Sequence, residues 1–212
     1  MSFPFIINEK IVPVKQGSCI YIKKNVFSNG EMQDIQKAID KYADQIEEYS
    51  ETNNVKSNFL NFIDLFDYNP TIALGIEQAF EHIQKELYTS VCGRMHTVNY
   101  DEIHLRKING ATRVHIDGAI SPTPVLTRRN YINKPTNIRL YSVIVALNSD
   151  YEGGEFYFPR QDITVKLKAG EALIFPPYWT HPHGTNELNG TFRYTINSWF
   201  YDCFQVSKPV CE

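Results

Sequence analysis

Residues 112–117 of the chain read TRVHID, and this short run places His115 and Asp117 two positions apart. The run is typical of a β-strand, in which side chains two positions apart point to the same face. One imidazole and one carboxylate side by side are two thirds of the two-histidine, one-carboxylate site that binds Fe(II) and keeps other coordination positions open. The spacing therefore predicts a metal site whose third ligand comes from far downstream.

The sequence on both sides of this run consists of short apolar stretches separated by turn residues. Strands are predicted at residues 102–108, 139–147, 163–167, 172–175 and 191–200, with a turn at Asn109-Gly110. Many short strands joined by regular turns predict a jelly roll or a barrel.

The first half of the chain has a different pattern, with apolar residues at spacings of three and four. This periodicity predicts an amphipathic helix over residues 31–49 and a second helix from residue 69, whose first turn tolerates Pro70. Residues 50–58 are polar and predict a loop, and one or two strands are expected between residues 6 and 24. The two helices are expected to support a sheet.

Length and composition are those of a soluble domain. A chain of 212 residues with 42% hydrophobic residues can bury a substantial core as one domain. A formal net charge of -3 gives no global attraction for nucleic acid or anionic membrane. The N-terminus lacks a signal-peptide pattern, and no segment approaches the length of a membrane span. We therefore expect a cytoplasmic protein without a membrane partner.

A second group of motifs follows in the predicted β-rich half. In chain order they are YEGGEF at residues 151–156, GEALIFP at 170–176, His183, and RYT at 193–195 followed by Trp199. Together with residues 112–117, this series resembles the Fe(II)- and 2-oxoglutarate-dependent dioxygenases, specifically the prolyl 4-hydroxylase-like branch. The resemblance covers residues 100–202 in consistent order.

The resemblance implies a double-stranded β-helix, which is the jelly roll that the turn-rich pattern predicts, with helices packed against its larger sheet. The expected class is α+β, mostly β, in a single domain over residues 1–212. Residues 1–97 would supply N-terminal strands and supporting helices, and residues 98–205 the catalytic core. The implied cofactor is Fe(II), with 2-oxoglutarate and dioxygen as cosubstrates, and ascorbate stays open as an addition.

By the same resemblance, His115, Asp117 and His183 bind the iron. Imidazole and carboxylate ligands suit Fe(II) and leave three positions free. His181 competes with His183 for the distal position, because the two lie two residues apart and could share a face. The gap of ten residues from His183 to Arg193 matches the family, so we expect His183 to be the ligand.

The resemblance assigns Arg193 to a salt bridge with the far carboxylate of 2-oxoglutarate. A guanidinium can bind a carboxylate through two parallel hydrogen bonds and stays charged at any working pH. Thr195 alternates in phase with Arg193 along the predicted strand, so its hydroxyl is a candidate second anchor. Many members of the branch carry a tyrosine on the strand before His-x-Asp, where this chain has Arg106. Either Arg106 or Tyr141 on the next strand is expected to take that role.

A long connection, residues 118–137, follows the predicted ligand strand. Connections of this length without periodicity are usually functional lids or disordered loops. We expect a lid that selects the substrate, with Arg128, Arg129 and Tyr131 as the side chains that reach it.

The leading hypothesis is hydroxylation of a C–H bond of a second substrate, coupled to decarboxylation of 2-oxoglutarate to succinate and CO2. The partner is then a peptide or a small molecule, with peptidyl proline as the first guess. A free amino acid, another protein side chain and a nucleotide stay open. A different class is a non-catalytic, cupin-like metal-binding module, although the complete triad with Arg193 argues against it. Nucleic acid is not favoured, because Arg128 and Arg129 are the only local basic candidates.

Overall fold

The computed structural model describes residues 10–46, 49–50, 53–92, 98–100, 103–118 and 136–204. Two antiparallel β-sheets face each other across an apolar core, and helices cover the outer face of the larger sheet. This arrangement is the predicted jelly roll with supporting helices, so the α+β, mostly β class is confirmed. No helix within the described ranges is long and apolar enough to cross a membrane.

Three α-helices and thirteen strands make up the described part of the chain. The helices are α1 (Asn29–Tyr42), α2 (Phe62–Tyr68) and α3 (Pro70–Leu87), which continues into a π-helical turn (Tyr88–Cys92). The strands are β1 (Val12–Pro13), β2 (Tyr21–Lys23), β3 (Asp44–Ile46), β4 (Tyr49–Ser50), β5 (Asn53–Asn61), β6 (Val98–Tyr100), β7 (His104–Ala111), β8 (Thr136–Ala146), β9 (Phe156–Phe158), β10 (Ile163–Val165), β11 (Ala172–Phe175), β12 (Gly184–Thr185) and β13 (Arg193–Phe204).

The larger sheet has the strand order β1-β2-β11-β8-β13-β7-β5-β3, with β4 paired to β5 and β6 paired to β13. The smaller sheet has the order β10-β9-β12. The long strands β8 and β13 therefore lie in the middle of the larger sheet, and short strands lie at its ends.

Helix α1 begins at a capping box. The Ser28 hydroxyl accepts a hydrogen bond from the backbone N–H of Glu31, and the Glu31 carboxylate accepts one from the backbone N–H of Ser28 at 2.7 Å. One face of the helix is apolar and buried, including Met32, Ile35 and Ile39. The cap fixes where the helix starts, and the apolar face directs it onto the sheet.

Helix α3 is the longer support of the sheet. Asn69 caps it, since its side-chain oxygen accepts from the backbone N–H of Ile72 at 3.2 Å, and Pro70 occupies the first turn as expected. Its buried residues belong to the same core as those of α1. They are Ala73, Ile76, Ala79, Phe80, Ile83 and Leu87.

The central strands β8 and β13 each have one face that packs toward the helices and one face that points into the jelly roll, where the candidate site lies. On β13, Ile196 and Phe200 pack into the core beneath the helices. On β8, Val143 and Val145 do the same, while Ile144 belongs to the core between the sheets. Residues that alternate with the helix-facing set therefore point into the jelly roll.

Part of the N-terminal half departs from the prediction. Helix α1 ends at Tyr42, and residues 44–46 form β3, which pairs with β5. Within the polar stretch predicted as a loop, residues 53–58 instead belong to β5, which pairs with β7 from Asn54 to Asn61. Backbone pairing at the end of the larger sheet satisfies the donors and acceptors of this segment, and it outweighs the low strand propensity of asparagine.

Two further predictions near the site were wrong. Asn109 and Gly110 form no turn but continue β7, where Gly110 adopts a φ of 99° that side-chain-bearing residues rarely reach. Residues 112–117 form no regular strand. Within that stretch only His115 makes a β-bridge, and its partner is His183.

Candidate metal centre and cosubstrate pocket

The bridge between His115 and His183 brings two distant parts of the chain together. The backbone N–H of His115 donates to the carbonyl of His183 at 2.9 Å, and the N–H of His183 donates back at 3.0 Å. The two imidazole rings lie with centroids 4.5 Å apart. Gly184 permits this approach, because a Cβ at that position would lie 2.8 Å from the carbonyl oxygen of Thr112.

Asp117 completes a compact cluster with the two histidines. Its Oδ1 lies 3.1 Å from Nε2 of His115, and its Oδ2 lies 3.6 Å from Nε2 of His183. The three side chains each offer a ligand atom within 4.8 Å of the others. Two imidazole nitrogens and one carboxylate are the donor set that suits non-haem Fe(II), so the residues present fit the metal that the sequence predicts.

Backbone carbonyls hold both imidazoles in one orientation. Nδ1 of His115 lies 2.9 Å from the carbonyl oxygen of Arg113, and Nδ1 of His183 lies 3.1 Å from that of His181. A carbonyl only accepts, so each Nδ1 is the protonated nitrogen and each neutral ring presents the lone pair of Nε2 to the cluster.

The electrostatics of the cluster favour the protonation state that a metal ion needs at Asp117 and at His183, but not at His115. Burial alone would raise the pKa of Asp117, but the hydrogen bond from His115, the charge that His183 can carry and the Ser142 hydroxyl together lower it far below its ordinary value. Burial lowers the pKa of His183. The hydrogen bond to Asp117 raises the pKa of His115. A metal ion would therefore find an ionised carboxylate and a neutral His183, and would compete with a proton at His115.

Two side chains from β8 hold Asp117 in place. The Ser142 hydroxyl donates to Oδ2 of Asp117 at 2.6 Å, and Nη1 of Arg139 donates to the Asp117 carbonyl at 2.9 Å. Both residues were missed at the sequence level. A lone serine within the apolar run 140–147 was the available signal.

Ser142→Ala is expected to weaken metal binding by roughly tenfold, because partners that orient a ligand carboxylate typically contribute 10- to 100-fold in metal affinity. Anaerobic Fe(II) titration measures the effect. Ser198→Ala is the matched control, since Ser198 is equally buried and pairs with Val143 of the helix-facing set. Equal affinities for both variants would remove Ser142 from the metal centre.

His181 lies outside the cluster. Its Nε2 lies 2.8 Å from the carbonyl oxygen of Ser18, and its Nδ1 lies 2.9 Å from the Thr180 hydroxyl. Both ring nitrogens are thus engaged by the β1–β2 turn and by the preceding residue. The geometry supports the choice of His183 over His181.

The inner face of β13 carries the predicted cosubstrate residues. Arg193 is 3% exposed, and its Nη1 donates to the carbonyl of Gly154 at 2.6 Å. Thr195 is 1% exposed and lies on the same face. Burial lowers the pKa of Arg193 to about 10, so the guanidinium stays charged at neutral pH.

Buried polar atoms on this face have no hydrogen-bond partner among the described residues. They are Nε of Arg193, Oγ1 of Thr195, Oδ1 of Asn197 and Nε1 of Trp199. Such atoms are rare in a folded protein unless a ligand or water satisfies them. A buried cation next to an unsatisfied hydroxyl fits the carboxylate of 2-oxoglutarate.

The two alternatives for a further cosubstrate contact lie on opposite faces of the sheet. Arg106 pairs with Thr195 across β7 and β13, and therefore faces the pocket. Tyr141 packs against the core beneath the helices, next to Phe200. The proposal of Tyr141 as a cosubstrate contact is therefore corrected, since its side chain points away from the pocket.

The predicted lid residues Arg128, Arg129 and Tyr131 lie outside the described residues.

A family model for the 2OG-Fe(II) oxygenase superfamily matches residues 96–201, half of the chain. Among curated proteins, human prolyl 3-hydroxylase 1 is 26% identical over 132 residues, which cover 59% of this chain and 18% of the human protein. The chain thus spans less than a fifth of the length of this relative.

Solved structures of similar fold extend the comparison. The viral collagen prolyl hydroxylase vCPH from Paramecium Bursaria Chlorella virus-1, in its 2OG complex, aligns with a TM-score of 0.61 at 19% identity, covering 89% of this chain and 98% of the viral chain. A prolyl hydroxylase from Trichoplax adhaerens, in complex with a hypoxia inducible factor peptide fragment, aligns with a TM-score of 0.61 at 15% identity, covering 88% and 84%. At these identities the likeness concerns the fold.

Proposed function

We propose, from the premise that this chain belongs to the 2OG-Fe(II) oxygenase superfamily, that it hydroxylates a C–H bond with Fe(II), 2-oxoglutarate and dioxygen. One observation carries the proposal: the buried His183 of the metal cluster and the buried Arg193 both lie against β9, with His183 5.8 Å from the ring of Phe158 and the Arg193 guanidinium 4.8 Å from the ring of Phe156. A purely structural metal site would have no use for such a cation.

The proposed reaction consumes dioxygen and two organic substrates. One oxygen atom becomes the hydroxyl group of the product, and the other enters succinate as 2-oxoglutarate loses CO2. Fe(II), when bound, supplies the redox chemistry that activates dioxygen. His115, Asp117 and His183 would hold the metal, and Ser142 would keep the Asp117 carboxylate in its orientation.

Arg193 and Thr195 orient the cosubstrate in this proposal. The guanidinium would pair with the far carboxylate, and the Thr195 hydroxyl would donate a second hydrogen bond. Because both side chains are buried, these contacts form away from water, where a charge-assisted hydrogen bond is strongest. The opposite end of 2-oxoglutarate is thereby directed toward the metal cluster.

A surface of aromatic rings beside the cluster supports peptidyl proline as the second substrate. The guanidinium of Arg139 lies 4.0 Å from the ring centroid of Trp199, and the same guanidinium contacts the Asp117 carbonyl. The ring of His104 meets Trp199 edge to face at 5.5 Å, and Phe59 meets His104 at 4.7 Å. A pyrrolidine ring can pack on such a face, and the similar proteins are named as prolyl hydroxylases.

Anaerobic reconstitution with Fe(II), followed by turnover of 2-oxoglutarate in air, tests the proposal. Panels of proline-containing peptides, other peptides, free amino acids and nucleotides are offered with and without ascorbate, and mass spectrometry detects one added oxygen atom. Peptides with proline are expected to stimulate succinate formation, and the Asp117→Ala variant is expected to be inactive. Metal binding without 2-oxoglutarate turnover on any panel would instead support the non-catalytic module.

Trp199→Leu is expected to raise the KM for a peptide substrate by about tenfold, because a large aromatic contact surface is lost. The affinity for 2-oxoglutarate should change little, and decarboxylation without peptide should persist. Steady-state kinetics with varied peptide separates the two effects. An unchanged KM for every accepted substrate would show that this surface does not bind the substrate.

A further inference from the structure

The turn between β8 and β9 places a buried tyrosine beside Arg193. Tyr151 is 5% exposed and packs with Ile108 and Leu188 in a small apolar cluster. Ile108 is the cross-strand partner of Arg193, so this cluster borders the cosubstrate pocket. The hydroxyl of Tyr151 is buried and has no hydrogen-bond partner in the part of the chain that the structure describes.

The ring of Tyr151 is fixed without using its hydroxyl. The ammonium of Lys166 lies 4.2 Å from the ring centroid and donates to the carbonyls of Tyr151, at 3.0 Å, and Gly153. Gly154 lies against the ring edge, since a Cβ there would be 3.3 Å from Cε2 of Tyr151. The backbone of this turn thus holds the ring, and the hydroxyl is available for another group.

The same turn also holds the guanidinium. Arg193 donates from Nη1 to the carbonyl of Gly154 and leaves its Nε unsatisfied within the described residues. The Tyr151 hydroxyl, the Arg193 Nε–H and the Thr195 hydroxyl are three buried groups that can all donate. Arg193 and Thr195 share one face of β13, and Gly154, which accepts from Arg193, lies against the Tyr151 ring, so the three donors border one pocket. Three such donors, one of them cationic, suit an anion with several acceptor oxygens.

We propose that the hydroxyl of Tyr151 donates a hydrogen bond to the far carboxylate of 2-oxoglutarate, together with Arg193 and Thr195. This inference rests on the proposed function and adds a binding residue to it. Burial raises the pKa of the Tyr151 phenol, so the hydroxyl keeps the proton that it donates. Lys166 is a positioning residue, because it acts through the ring and the backbone of Tyr151.

Titration of 2-oxoglutarate into protein loaded with Mn(II) tests the proposal without turnover. Tyr151→Phe is expected to weaken binding about tenfold or more, the usual loss for a hydrogen bond to a charged group. The thermal midpoint of the metal-free variant should be equal to or above that of the wild type, because the substitution removes a buried hydroxyl that has no partner. Tyr194→Phe is the matched control. Its hydroxyl bonds to Asp40 on the helix side, so its loss should leave 2-oxoglutarate binding unchanged.

A second ligand locates the contact on the cosubstrate. In 2-oxopentanoate a methyl group replaces the far carboxylate, so wild type and Tyr151→Phe should bind it equally. Unchanged 2-oxoglutarate affinity in Tyr151→Phe would overturn the inference, as would an equal loss for both ligands. Absence of 2-oxoglutarate binding by the metal-loaded wild type would instead overturn the proposed function itself, so the two failures are distinguishable.

Discussion

His183→Ala is expected to abolish stoichiometric binding of Fe(II). The side chain is 2% exposed and supplies one of the three ligand atoms of the cluster, and alanine leaves one imidazole and one carboxylate. Two protein ligands bind the metal ion much more weakly than three ligands that occupy one face of its coordination sphere. Anaerobic equilibrium dialysis measures the stoichiometry, and Mn(II) is a convenient second probe.

His181→Ala is the matched control and is expected to keep most of the metal affinity. The hydrogen bond from Nδ1 of His183 goes to the backbone carbonyl of residue 181, which the substitution retains. The lost side-chain contact to Ser18 should appear in thermal stability rather than in metal binding. Loss of binding in His181→Ala together with retention in His183→Ala would reverse the assignment of the distal ligand.

Arg193→Met is expected to raise the 2-oxoglutarate requirement by an order of magnitude or more while leaving the metal affinity nearly intact. Each factor of ten corresponds to about 1.4 kcal/mol of lost binding free energy. The effect is large because the guanidinium is buried and its carboxylate partner would be shielded from water. Binding of 2-oxoglutarate to the Mn(II)-loaded variant gives the value directly.

Two further variants test which arginine binds the far carboxylate of 2-oxoglutarate and whether its paired donors are needed. Arg193→Lys keeps the cation but not the fork of two parallel donors, so an intermediate loss is expected. Arg106→Met removes a second arginine that faces the pocket, the cross-strand neighbour of Thr195. If Arg193→Met binds 2-oxoglutarate normally and Arg106→Met does not, the carboxylate anchor is Arg106.

The residues of the candidate site were accessible from the sequence because their chemistry restricts residue type and spacing. A facial metal site requires imidazole and carboxylate, and the cosubstrate requires a cation at a fixed distance along a strand. His115 and Asp117 meet at the cluster although their segment is not a regular strand. The motif was therefore a better guide than the strand on which it was expected to lie.

The face of each residue on β8 could not be predicted, because the strand contains an irregularity. Tyr141 pairs with Phe200, whereas Arg139 pairs with Tyr201, so the register shifts between them. Arg139 and Ser142 thus both reach Asp117 although they are three positions apart. A bulge of this kind changes the alternation of side chains and leaves little trace in the sequence.

Strand β5 could not be predicted for a different reason. Its residues include several asparagines, which disfavour strands on local grounds, and its pairing with β7, β3 and β4 makes it a strand. Phe59 reaches His104 through that pairing. The contribution of Phe59, in the N-terminal half, to the proposed substrate surface therefore could not be predicted from the sequence before the sheet order was known.

The strand order of the larger sheet also bears on how copies of the protein behave in concentrated solution. Exposed sheet edges invite other chains to add strands, which is a common route to aggregation. Here one end of the order is β1, two residues long and ending in Pro13, which has no N–H to donate. The other end is β3, three residues long and beginning with Asp44. Among the described residues, both ends of this strand order are therefore short strands, which are poor templates for the addition of another chain.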